Sequence, residues 1–204
     1  MNKKNITKLL ACCFLSAGML GCSSGSAASG DIASQESSTP EPATETTAPS
    51  SAENDGKVHP KDGIAEGYVG DTLTSMFFDF SVNSVASTDA YAELTPAEGK
   101  SLLIVNVTIE NTFGKDLPMF DTDFQAIWGD GDDEFAAPVT YYDDNVQAEN
   151  MLAGEYTLKA GEKISGDLVF EVPAESTYFM IVYEESFSDD TTGDLFVVYT
   201  EAKK

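Results

Sequence analysis

Beyond residue 64, apolar and polar residues alternate with a period of two between short turn signals, as in strands with one buried face. Residues 101–111, SLLIVNVTIEN, place Leu103, Val105, Val107 and Ile109 on one face and Asn106, Thr108 and Glu110 on the other. In MFFDFSVNSVA (76–86), Phe78, Phe80 and Val82 oppose Asp79, Ser81 and Asn83. In ISGDLVFEV (164–172), Ile164, Leu168, Phe170 and Val172 align against Asp167 and Glu171. YFMIVYE (178–184) and DLFVVYT (194–200) are apolar on both parities, which marks strands central in a sheet. FQAIW (124–128) and EFAAPV (134–139) read as a further strand pair, and only NVQAENMLA (145–153) looks like a short helical turn. Seven or more short antiparallel strands without a fixed-period repeat predict an all-β fold, a two-layer β-sandwich over residues 64–204.

Upstream the pattern vanishes. Residues 22–63 are rich in Ser, Thr, Ala, Pro and Glu and have no apolar period. Such a segment buries too little surface to offset its ordering entropy, so it predicts a disordered tether. Its root-mean-square span would be about 35 Å and its taut limit about 130 Å. His59, the sole histidine, falls here, which argues against a catalytic or metal-binding role. Residues 1–21 read as an export signal, with Lys3, Lys4 and Lys8 ahead of the apolar LLACCFLSAGML. Those twelve residues, at about 1.5 Å each, cannot cross a hydrocarbon core of about 30 Å. The signal ends in MLGC, which resembles the bacterial lipobox with Met19 where Leu is usual. Cys22 would then be the lipidated first residue of the mature protein, anchored by its acyl chains on the extracytoplasmic face of the cell membrane. Cys12 and Cys13 would leave with the signal, so no disulfide is available and stability must come from the core.

Charge narrows the partners. The chain carries a formal net charge of −24 and contains no arginine; from residue 64 onward six lysines face 28 carboxylates. Such a surface repels phosphate, which excludes nucleic acid as a partner. The same stretch has no His, Cys or Arg, so Ser-His-Asp and Cys-His triads and His- or Cys-ligated zinc are excluded. A carboxylate-pair hydrolase survives only because 28 acids always supply some pair. The expectation is a protein that is not an enzyme.

Two stretches offer candidate sites. In IWGDGDDEF (127–135), Asp130, Asp132 and Glu134 alternate as calcium ligands do. No EF-hand spacing follows, and Asp-Gly between two strand-like runs is a hairpin signal. The stretch therefore predicts a solvated β-turn that binds Ca2+ weakly or not at all, and no other cofactor is expected. Tyr141 and Tyr142, in VTYYDDN, are candidate binding residues of an end loop; the competing reading packs one of them over the core.

Several blocks, in order, resemble a known family: VGDTLT (69–74), FSVNSV (80–85), PAEGKSLLIVNVTIENT (96–112), FQAIWGDGDDEF (124–135), LKAGEKISGDLVFEVP (158–173) and YFMIVY (178–183). Together they are similar to a lipoprotein-anchored bacterial domain of unknown function, immunoglobulin-like and related to the immunoprotective extracellular antigens. The resemblance implies an immunoglobulin-like β-sandwich at the cell surface and brings no catalytic residues. The function expected is a surface-tethered, non-catalytic interaction module with an envelope protein or cell-wall partner. The alternatives are a passive envelope or accessory component of a transport or cell-wall system, and the carboxylate hydrolase.

Overall fold

The computed structural model describes residues 55–143 and 145–202. Cys22, the signal and most of the tether lie outside the described residues. Among the described residues, eleven strands carry the fold. They are β1 (Ile64–Tyr68), β2 (Thr72–Thr74), β3 (Phe78–Thr88), β4 (Lys100–Asn111), β5 (Leu117–Phe120) and β6 (Gln125–Ile127). The remainder are β7 (Phe135–Ala136), β8 (Glu155–Leu158), β9 (Lys163–Pro173), β10 (Tyr178–Ser186) and β11 (Thr192–Glu201). One sheet runs β1-β11-β10-β6-β7, a second β2-β3-β4-β9, and β5 pairs with β8 in a separate ribbon. All pairings are antiparallel except β1 with β11, which is parallel. The predicted β-sandwich is present.

The alternation seen in the sequence builds the core. Leu103, Val105, Val107 and Ile109 are fully buried, and Phe78, Phe80 and Val82 face them from β3. Phe170 and Val172 of β9, Phe179 and Ile181 of β10, and Phe196 and Val198 of β11 complete the space between the sheets. Phe80 sits among the rings of Phe78, Phe124, Tyr183 and Phe196, at centroid distances of 5.4–6.1 Å. The two runs apolar on both parities, β10 and β11, are interior strands of the five-stranded sheet. Their opposite faces form a second buried cluster of Met180, Val182, Leu195 and Val197 with Ile127.

Gly161 takes φ of 73° in the turn entering β9, a conformation that disfavours any residue with a Cβ. At Gly166 a Cβ would come within 2.6 Å of the Leu152 side chain, which crosses over β9 there.

Two expectations change. The segment 145–153 is not helical: turns occupy it, and Met151 bridges to Asp167 beside β9. The helical turn lies just before it, as α1 (Val139–Tyr142), entered from Pro138. Pro at the entry of a helix loses no hydrogen bond and presets φ, whereas the acids and amides of 145–150 favour side-chain turns. Asn145 does this, donating to Asp143 Oδ1 from both backbone and side chain.

Residues 55–63, placed by composition in the tether, are bonded to the domain. The Val58 N–H donates to Thr72 O (2.8 Å), and Thr74 N–H donates to Val58 O (3.0 Å). Lys57 Nζ reaches Asp79 Oδ2 at 2.5 Å and accounts for a polar β3 residue that is only 6% exposed. Starting the chain at residue 64 should therefore cost about 1–3 kcal/mol relative to a start at 55, because Asp79 is left buried without its cation. Urea unfolding of the two fragments measures this; equal stabilities would mean the clasp contributes nothing.

Candidate functional site

The acidic stretch folds as the predicted hairpin. β6 and β7 pair through Ile127 and Phe135, and Trp128 N–H donates to Glu134 O at 3.0 Å. The turn is closed from inside, since Gly131 N–H donates to Glu134 Oε2 at 2.7 Å. A Cβ at Gly129 would overlap that carboxylate, so the glycine makes room for it. Asp130, Asp132 and Asp133 are exposed. Among the described residues no three His, Cys, Asp or Glu side chains converge as a metal site would require. Adding 1 mM Ca2+ should therefore move the melting temperature no more than the same concentration of Mg2+. A site with a dissociation constant of about 0.1 mM would instead add about 1.4 kcal/mol.

Tyr141 and Tyr142 occupy α1 rather than an open loop. Their rings meet edge to face at 5.2 Å and both are exposed, Tyr142 at 67%. No ring of this pair caps the core.

A concave feature lies elsewhere, at one end of the sandwich, between the β5–β8 ribbon and the strands β3 and β10. Leu117, Met119 and Leu158 turn into the main core and fix the ribbon. Between it and the sheets is a pocket of about 300 Å³, walled by Phe77, Phe78, Leu117, Met119, Phe120 and Tyr183. That volume is at the small end of small-molecule sites. Phe120 is exposed at the rim, and Phe77 packs on Phe113 and Phe187 at 5.3 and 5.7 Å. Glu185 steadies this wall by accepting Met76 N–H (2.7 Å) and Asp194 N–H (3.1 Å).

The polar element of the pocket is Asp123, in a 3-10 turn of Asp121–Asp123 that links β5 to β6. Its Oδ2 accepts Phe120 N–H at 2.8 Å, which holds the turn. Burial, opposed by that hydrogen bond and aided by the charge of Asp121, pushes its carboxyl up to about 6. Asp123 is half-buried, bordering the cavity on one side. Tyr156 and Tyr183 feel it in turn: burial, then the Asp123 charge, raises both phenols. No lysine lines the pocket.

Residues 67–192 match the model of a domain of unknown function, DUF4352. The chain belongs to the DUF4352 family. No curated protein matches it. Among solved structures, the DUF4352 domain is similar to a Bacillus subtilis protein described as a "putative lipoprotein (ycdA)", with TM-score 0.51 and 20% identity. The alignment covers 65% of this chain but only 39% of that one. Two further likenesses are weaker. One is the yjhA protein of Bacillus subtilis, at TM-score 0.43 and 18% identity, covering 67% of this chain and 99% of that one. The other is an uncharacterized β-sandwich protein of Clostridium difficile 630, at TM-score 0.41 and 15% identity, covering 74% and 99%.

Sequence reasoning missed the pocket. Leu117 and Met119 lie in DLPMF, too short and proline-broken to read as a strand, and its partner β8 is some forty residues away. Nothing local distinguishes Asp123 from its acidic neighbours.

Proposed function

We propose that this DUF4352 domain is a non-catalytic binding module held on the extracytoplasmic face of the cell membrane by lipid at Cys22. The observation that carries the reading is the mainly apolar pocket, a preformed concavity at the end of the sandwich whose lining also includes Asp123, Glu184 and the hydroxyls of Thr122 and Ser186. The lipobox-like MLGC supports the anchor, as does the description of one structural neighbour as a lipoprotein. A stretch without His, Cys or Arg from residue 64 onward supports binding over catalysis. The immunoglobulin-like character and the kinship with immunoprotective extracellular antigens belong to this proposal too, as does an envelope or cell-wall setting.

The test has two parts. Cys22→Ser should release the protein from the membrane fraction or leave its signal uncleaved, since two or more acyl chains make dissociation negligible. Small molecules extracted from protein purified out of its envelope should be depleted when Met119→Trp fills the pocket. Identical extracts from both proteins would favour the passive envelope component instead.

A further inference from the structure

Resting on the pocket as the binding site, the class of its ligand follows from a mismatch in the lining. The walls suit an apolar body: Phe77, Phe78, Met119 and Tyr183 present ring faces and a thioether. The same cavity also presents the half-buried carboxyl group of Asp123, with no cationic neighbour among the described lining residues. A carboxylate removed from water normally has a positive partner or is held by several donors. Asp123 accepts a hydrogen bond from the Phe120 N–H. The other ionisable groups near it are acids or phenols, namely Asp121 on its own turn, Tyr156 from β8, and Tyr183 and Glu184 from β10, while Thr122 and Ser186 add only neutral hydroxyls to the lining. β3 and β5 contribute apolar side chains alone.

We infer that the pocket recognises a small organic amine, with its apolar body between Phe78, Met119 and Tyr183 and its ammonium on the Asp123 carboxylate. Charge complementarity selects this class. An ammonium supplies the partner that Asp123 lacks, and the aromatic walls attract a cation through their ring faces. An anionic ligand would meet Asp123 and Glu184 together, and a neutral apolar one would leave the carboxylate uncompensated. The formal net charge of −24 also draws cations toward the mouth from solution. The residues form no nucleophile–base pair, so the amine is held and not transformed.

Three probes of one shape test this on the full chain by titration calorimetry: 2-phenylethylamine, 2-phenylethanol and 3-phenylpropionate. At pH 7.5 the amine should bind at least tenfold more tightly than the alcohol, and the propionate should not bind. Amine affinity should fall up to tenfold per pH unit below about 6, as Asp123 takes up a proton. Asp123→Asn keeps an acceptor for Phe120 N–H. It should cut amine affinity at least tenfold while leaving the alcohol within twofold. An amine no tighter than the alcohol, or indifferent to Asp123→Asn, would overturn the inference yet leave an apolar binding pocket standing. If none of the three probes bound, the inference and the pocket as a binding site would both fail.

Discussion

Phe80→Ala is expected to lower the unfolding free energy by about 3–5 kcal/mol, a large share of what a domain of this size possesses. Phe80 is 1% exposed and touches four other aromatic rings, contributed by β3, β10, β11 and the residue before β6. Truncation therefore removes the side chain shared by both sheets and leaves a cavity that rigid strands cannot collapse into. Urea unfolding should show a lower midpoint with an unchanged slope, and the melting temperature should fall by about 10–20 °C. Phe120→Ala, at the exposed pocket rim, serves as the contrast and should cost less than about 1 kcal/mol. Equal losses from the two substitutions would contradict the placement of the core.

The second large effect has the opposite sign. Asp123→Asn should stabilise the protein at pH 7.5 by about 1–3 kcal/mol. Its carboxyl titrates near 3.8 when unfolded and at about 6 in the fold. Between those values the folded state binds more protons, so stability falls as pH rises from about 4 to 6 and stays reduced above that. A shift of about two units corresponds to at most about 3 kcal/mol, and contact with the cavity's water reduces it. Asparagine carries no charge to bury, so the gain should vanish at pH 4. A gain of equal size at both pH values would show that ionisation is not its source. A carboxylate that costs stability in this way is what the proposed binding role of Asp123 would require.

The long strands β3, β4 and β9 were legible because each is long enough for its parity to show, whereas the short β1 and β2 were not read from the sequence. Val105 and Val107 could only face inward once Asn106 and Thr108 faced out. The apolar runs of β10 and β11 announced interior strands for the same reason. Asp79 shows where parity fails: it stands on the polar face of β3 but is covered by Lys57, a residue whose neighbours in sequence look like tether. Composition averages over a window, whereas a clasp needs only one valine and one lysine in the right places. The turn at 130–134 was legible from Asp-Gly, although the inward Glu134 carboxylate was not. The pocket was illegible for a deeper reason. Its walls come from β3, β5 and β10, and its carboxyl becomes special only through enclosure, which no local spacing encodes.

The parallel pairing of Ile64–Tyr68 with Leu195–Tyr199 has a mechanical consequence. A lipid anchor upstream would transmit any tug on the protein through residue 55 toward Ile64. Lys57, held by one ion pair, and Val58, held by two backbone hydrogen bonds, would yield first, because so few bonds can be peeled in succession. What remains is then pulled along the axis of β1. If the opposing load acts at the far end of β11, the whole β1–β11 ladder is strained simultaneously rather than unzipped from one end. The domain would behave as a sacrificial catch followed by a shear-resistant latch, suited to a body that drags on its own tether.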